Sequence, residues 1–215
     1  MTDHRSRFLQ LALRAQALRF GEFTLKSGRV SPYFFNAGLF NSGALMAELA
    51  TSYADAIQAH GVEFDLLFGP AYKGIPLATA LACEFARRGR DLPVAFNRKE
   101  AKDHGEGGNL VGAKLAGRVL IIDDVITAGT AIGESVAIIR AAGATPVGVA
   151  LALDREERGK EGERSAVEEA RARYDLEVAS IVRLRDLISW LEHSAPDPAV
   201  LAAVRAYRER WGSKG

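Results

Sequence analysis

The sequence predicts an α/β fold: a central, mostly parallel sheet flanked by helices, with a small N-terminal helix and hairpin in front of it. Three observations carry that expectation. Short apolar runs at 66–68, 94–96, 119–122, 147–153 and 178–182 read as strands buried on both faces. Segments with apolar residues at helical spacing, such as 75–88 and 130–142, alternate with those runs in the order that builds parallel sheets. At 215 residues the chain is long enough for one such core and a small appendage.

Residues 5–20 place Phe8, Leu11, Ala12, Ala15 and Leu18 at helical spacing and predict one amphipathic helix, closed by Gly21. The β-prone runs 22–26 and 31–36 flank Ser27-Gly28-Arg29, a hairpin signal with glycine free to take a positive φ. This hairpin is assigned to a place outside the main sheet, so residues 1–40 form a hood and residues 41–215 the α/β core. In 42–59, Leu45, Leu49, Tyr53, Ala56 and Ile57 recur with a helical period. From Arg98 to Gly112 there is no periodicity and there are four glycines, which predicts a long mobile loop of the kind used as a lid. Residues 155–173 are highly charged and read as a solvated loop leading into a surface helix, Arg155 excepted. Helices at 184–192 and 199–208 complete the chain.

Composition excludes several function classes. Lys plus Arg number 28 and Asp plus Glu 27, so a net charge of +1 offers no long-range attraction to nucleic acid or anionic lipid. Anionic ligands must be held by local clusters. A single cysteine, Cys83, rules out a disulfide framework and a thiolate metal site, and its apolar neighbours suggest a buried core thiol. No signal peptide and no apolar run of membrane-spanning length is evident, which points to a soluble, cytoplasmic protein.

The chemistry concentrates in residues 119–130, where the apolar strand Val119-Leu120-Ile121-Ile122 runs into Asp123-Asp124 and then Val125-Ile126-Thr127-Ala128-Gly129-Thr130. Two acids at the carboxyl end of a strand sit where open α/β sheets bind ligands. The following turn offers backbone N–H groups, the Thr127 and Thr130 hydroxyls and a helix N-terminus, which together suit a phosphate dianion. Ribose 5-phosphate has the complementary layout, with vicinal hydroxyls for the acids and a phosphate for the turn. Other phosphate motifs fail: Gly69 to Gly74 is followed by Ile75-Pro76 and not Lys-Ser/Thr, and no Gly-x-Gly-x-x-Gly opens a helix after a strand.

This segment resembles the phosphoribosyl-diphosphate signature of the type I phosphoribosyltransferase family. Four further stretches resemble its orotate branch: Leu25-Lys26-Ser27-Gly28-Arg29 with 31–36, Gly69-Pro70-Ala71-Tyr72-Lys73-Gly74-Ile75-Pro76-Leu77, residues 96–108, and Leu153-Asp154-Arg155-Glu156-Glu157-Arg158-Gly159. The resemblance implies the type I phosphoribosyltransferase fold, with the hood over the base pocket, and Mg-dependent transfer of ribose 5-phosphate from phosphoribosyl diphosphate to orotate. Asp123 and Asp124 would then bind the ribose hydroxyls and Val125, Ile126, Thr127, Ala128, Gly129, Thr130 and Ala131 the 5-phosphate. Magnesium would be held mainly by the diphosphate, without a dedicated metal residue. Lys26, Tyr72, Lys73, Arg98, Lys99, Lys102 and His104 would complete the donor site, with Lys102, His104 and Asp124 in catalytic roles. Orotate would meet Phe34, Phe35, Thr127 and, through its carboxylate, Arg155.

The family relation further implies a homodimer in which the 98–112 loop serves the neighbouring subunit. Gly133 departs from the larger polar residue expected there and is a poor helix former by about 1 kcal/mol against alanine. Two other readings share the signature: a non-catalytic sensor of phosphoribosyl diphosphate, and a purine phosphoribosyltransferase. The loop cations and the lack of a basic DNA-binding module argue against the first, and Phe34-Phe35 with Arg155 against the second.

Overall fold

Side chains along the central strands alternate between two helical layers, and that alternation organises the chain. The computed structural model describes residues 3–25, 27–102, 108–126, 130–159, 162–194 and 197–213. In order, these form α1 (His4–Arg14), β1 (Leu18–Thr24), β2 (Val30–Phe35), a 3-10 turn (Ala37–Leu39), α2 (Gly43–His60), β3 (Leu66–Gly69) and α3 (Gly74–Arg87). There follow β4 (Val94–Lys102), β5 (Gly108–Gly112), β6 (Arg118–Asp123), α4 (Thr130–Ala141), β7 (Thr145–Asp154), α5 (Ala166–Tyr174), β8 (Glu177–Arg183), α6 (Leu184–Ser194) and α7 (Pro198–Trp211).

The main sheet has the order β5-β4-β3-β6-β7-β8, parallel except for β5, and β1 and β2 pair with each other apart from it. Leu67, Leu120, Ile122, Ala150 and Ile181 face one apolar cluster with residues of α1, α2, α3 and α6. Their neighbours Leu66, Phe68, Ile121, Val149 and Leu151 face the other, closed by α4 and α5. A period of two places successive side chains on opposite faces, so both faces must be covered and the strands read as unbroken apolar runs. No helix among the described residues is long and apolar enough to cross a membrane.

Topology fixes where a ligand can bind. From β3 the chain crosses through α3 to β4 on one side, and later returns to β6 on the other. The carboxyl ends of β3 and β6 are therefore the switch point of the sheet. Gly69 and Gly74 let the β3–α3 connection lie flat there. A Cβ on Gly69 would collide with the Gly74 carbonyl, and one on Gly74 would meet Pro70 and stand 2.6 Å from the Ile122 carbonyl oxygen.

Several expectations need correction. The first helix ends at Arg14, because Gln16 turns the chain at φ 55° and Leu18 already begins β1. Gly21 lies inside that strand, at the irregularity between Phe20 and Phe23, and closes no helix. Residues 98–112 are no open loop in their described part: β4 runs on to Lys102, which pairs with Gly108 of the antiparallel β5. Such pairing uses backbone groups, so a polar hairpin shows no apolar period. Cys83 is exposed, because α3 buries Leu77, Ala78, Leu81 and Phe85 and turns residue 83 outward. The stretch after β7 is only partly solvated, since Glu156, Val167 and Ala170 are buried. Gly133 has a packing reason: a Cβ there would stand 2.6 Å from the Tyr174 hydroxyl at the end of α5.

Gly74→Ala is expected to cost about 1–3 kcal/mol, because the atoms it meets on Ile122 are backbone and cannot swing aside. A chemical-denaturation midpoint equal to that of the parent would contradict this packing.

Candidate functional site

Two loops meet at the switch point, and each is pinned by the other. Lys73, the residue before α3, extends Nζ to within 2.6 Å of Asp124 Oδ2, just past β6. On its other side the same loop is fastened to β4, because the Ala71 N–H donates to Asn97 Oδ1 at 2.9 Å. Tyr72, between them, is 66% exposed, and the Lys99 ammonium from β4 stands 5.1 Å from its ring centroid. Arg98 is half-buried beside Lys99 on the same strand.

The two carboxylates are held from beneath. Asp123 Oδ1 accepts the Asp124 N–H at 2.9 Å, and Asp124 Oδ1 accepts the Val125 N–H at 3.0 Å. The Asp124 carbonyl accepts from the N–H groups of Ala152 and Leu153 on β7, at 3.0 and 3.3 Å. From α2, the buried Tyr53 hydroxyl donates to the Asp123 carbonyl at 2.8 Å. Burial, then the charges of Asp124 and Asp123, push that hydroxyl well above its ordinary range, so it stays a donor. Asp123 itself is pushed up to about 7, first by burial and then by the neighbouring Asp124 charge, partly offset by its hydrogen bond from the Asp124 N–H. Asp124, only 7% exposed, keeps the ammonium of Lys73 as its counter-charge.

Beyond these acids Val125 and Ile126 are half-buried, and Ala131 lies exposed in the first turn of α4. Lys26, His104, Thr127, Ala128 and Gly129 lie outside the described residues, as do the side chains of Lys102 and Thr130. Lys102 is placed by its backbone at the far end of β4.

On the hairpin the two phenylalanines separate. Phe35 is 9% exposed and packs its ring among Phe8 and Phe40, at centroid distances of 6.2 and 6.4 Å. Its ring is therefore no pocket wall, and only its backbone is left to meet a ligand. Phe34 points the other way and stacks on Phe23 at 5.4 Å, with the Arg19 guanidinium 5.8 Å from its ring. Arg155, just after β7, lies under the hairpin: its guanidinium stands 4.5 Å from the Tyr33 ring and donates to Ser31 Oγ at 3.3 Å and Glu157 Oε1 at 2.7 Å.

Sequence reasoning missed Tyr53, Asn97 and Glu157. Tyr53 repeats with the apolar face of α2 and so reads as packing; Asn97 and Glu157 stood inside recognised stretches, but nothing local says what they touch.

Residues 39–179 match the phosphoribosyl transferase domain family. The orotate phosphoribosyltransferase of Xanthomonas axonopodis pv. citri is 65% identical over 99% of this chain and 98% of its own length. That of Thioalkalivibrio sulfidiphilus is 63% identical over 99% and 100%. The chain belongs to the orotate phosphoribosyltransferases. As a member of this pentosyltransferase family it also shares its architecture with a solved relative: the Francisella tularensis orotate phosphoribosyltransferase superposes with a TM-score of 0.88 at 43% identity, covering 96% of this chain and 99% of the other. Family members are thus similar to it along nearly the whole chain.

The buried acid pair generates a pH dependence. Asp123 has a folded value near 7, above its ordinary 3.8, so its protonation favours the fold. That contribution is complete below the ordinary value and is lost as pH rises through the folded one. In ligand-free protein, Asp123→Asn is therefore expected to raise the melting temperature more at pH 8 than at pH 5. A gain independent of pH would show that Asp123 is not held uncharged.

Proposed function

We propose that this chain catalyses the Mg-dependent transfer of ribose 5-phosphate from 5-phosphoribosyl 1-diphosphate to orotate, giving orotidine 5'-phosphate and diphosphate in pyrimidine biosynthesis. The observation that carries the reading is the meeting of Lys73 with Asp124, beside Asp123, at the switch point. It supplies carboxylates for vicinal hydroxyls and a cation for a diphosphate within one contact. Donor binding gives each a better partner: the ribose hydroxyls donate to Asp123 and Asp124, and the Lys73 ammonium turns to the diphosphate. The 5-phosphate is received by residues 125–131 at the N-terminus of α4.

As the bond from the anomeric carbon to the diphosphate breaks, its electron pair leaves with the diphosphate and the sugar becomes cation-like, by analogy with glycoside chemistry. A ring nitrogen of orotate closes on that carbon from the other face, and its proton is released to water or to the departing diphosphate. Catalysis then depends on cations around the leaving group: Lys73, Arg98 and Lys99, with Lys102 at the end of β4 and His104, the 98–112 segment serving the neighbouring subunit of a homodimer in the cytoplasm. Asp123 and Asp124 offer hard oxygen donors, but the ribose hydroxyls would claim them, so magnesium would arrive with the diphosphate and keep most of its ligands there. Held there, magnesium would spread the charge of the diphosphate. Lys26 flanks the donor, Phe34 and the Phe35 backbone flank the base with Thr127, and Arg155 takes the carboxylate with its planar fork.

The direct test is the fall in ultraviolet absorbance of orotate on adding protein, magnesium and phosphoribosyl diphosphate, with uracil, hypoxanthine and adenine as parallel acceptors. Consumption of orotate alone is expected; donor binding without turnover of any base would make the chain a sensor. Lys102→Ala is expected to lower kcat on the order of 10²- to 10³-fold, as for loss of one preorganised charge-stabilising donor. Arg155→Ala is expected to raise the KM for orotate far more than that for the donor, and equal rises would sink the assignment of the base pocket.

A further inference from the structure

Residues 154–159 do more than carry Arg155 out of the sheet. The Asp154 carboxylate accepts the Glu156 N–H at 2.9 Å, and Glu156 adopts a left-handed φ of 49°. The kink splits neighbouring side chains between opposite sides. Glu156 is buried toward α6, where its carboxylate accepts the Arg185 N–H at 3.0 Å and pairs with the Arg185 guanidinium. Arg155 and Glu157 come together instead, at 2.6 Å, and both are about seven-eighths buried, with side chains 14% and 13% exposed.

Glu157 engages the Nε edge of the guanidinium, while Tyr33 lies under its plane and Ser31 accepts from Nη2. One edge and one face are thus fixed, Tyr207 stands beside both Arg155 and Glu157, and a planar guanidinium held in this way keeps its remaining edge at one angle. Glu157 is itself held. Its second oxygen lies 3.7 Å from the Arg29 guanidinium, which donates to the carbonyls of Arg158 and Gly159 at 2.9 and 3.2 Å and stacks 4.5 Å from the Trp211 ring centroid.

The backbone here is stitched to the end of α7. Glu157 forms an antiparallel bridge with Gly212, the Arg158 N–H donates to the Trp211 carbonyl at 3.0 Å, and the Ser213 N–H donates to the Glu156 carbonyl at 2.8 Å. Burial of a guanidinium already demands a carboxylate partner, but it does not demand that the partner be held by a second arginine and that its backbone be sewn to the end of α7. An arginine that must present a planar fork at one angle does demand this, because a long side chain otherwise spreads over many rotamers.

We infer that Glu157, fixed by Arg29 and by the chain segment 211–213, is a positioning residue that aims the Arg155 fork at the carboxylate of the base and so helps set specificity for a carboxylated pyrimidine. The inference rests on the reading that Arg155 meets that carboxylate. Glu157 also draws on the charge of Arg155, so its removal has two opposed effects: stronger bare attraction for an anion and a looser fork. Orientation dominates, because a carboxylate bound bidentately needs both N–H groups in its plane.

The test is steady-state kinetics on full-length protein with Glu157→Gln, Glu157→Asp and Arg155→Ala, each checked by thermal melting. Glu157→Gln is expected to raise the KM for orotate about tenfold or more, as for a lost partner of a charged group, and to leave the KM for the donor unchanged. Glu157→Asp, which keeps the charge on a shorter arm, is expected to recover part of the loss. If the glutamine variant does not fold, the aspartate variant carries the test through a smaller rise confined to orotate. An unchanged or lower orotate KM in these variants, while Arg155→Ala raises it, overturns the positioning role alone. Equal changes for both substrates, or a loss that follows melting temperature, make Glu157 merely structural and also overturn it. If Arg155→Ala itself fails to separate the substrates, the base-pocket reading falls and the inference falls with it.

Discussion

The close approach of the β3 and β6 carboxyl ends is the constraint on which the rest of the site depends. Adjacent parallel strands whose connections leave in opposite directions open a crevice between them. Here the crevice is narrow, because Gly69 and Gly74 remove the side chains that would hold the β3–α3 connection away from Ile122. That flat seat brings Lys73 to Asp124 at 2.6 Å. A larger residue at either glycine would push the connection out of this seat, and with it the backbone that carries Lys73 toward the nearly buried Asp124 carboxylate.

The same enclosure gives Asp123 and Asp124 different characters. Lys73 reaches only one of them, and the other, which would carry its charge against burial and against its neighbour, holds its proton more firmly than an ordinary carboxyl. A pair of this kind is poised for a ligand that brings hydroxyl donors, since each new hydrogen bond favours the charged form. The buried Tyr53 and two N–H groups of β7 fix the backbone that carries both acids, so the pair is set in place before any ligand arrives.

At the other side of the site, the hairpin and the chain terminus act together. β2 turns Tyr33 and Phe35 into the core and Phe34 to the other side, so one strand supplies both the core contact and a half-buried ring stacked on Phe23. The segment after β7 is clamped between that strand and the end of α7, with Trp211 ringed by the guanidiniums of Arg29, Arg210 and Arg158 at 4.5, 5.0 and 5.8 Å. Elements distant in sequence thus converge on Arg155.

By itself the sequence determined the fold class, the order of the central strands and helices, and the acid pair at the end of β6. Those follow from local periodicity and from a contiguous motif, and both are written in neighbouring residues. Tertiary structure alone decided the rest. Whether Cys83 is inside depends on helical phase, and whether residues 98–112 are a loop or a hairpin depends on backbone pairing that no side-chain pattern records. Why Gly133 is a glycine depends on Tyr174, 41 positions away in the numbering, whose hydroxyl fills the space. The partners of Arg155 come from positions 31, 33 and 157, and those of Asp124 from position 73 and β7. Contacts between residues far apart in the chain exist only once the sheet has brought its strand ends together, so no local signal encodes them.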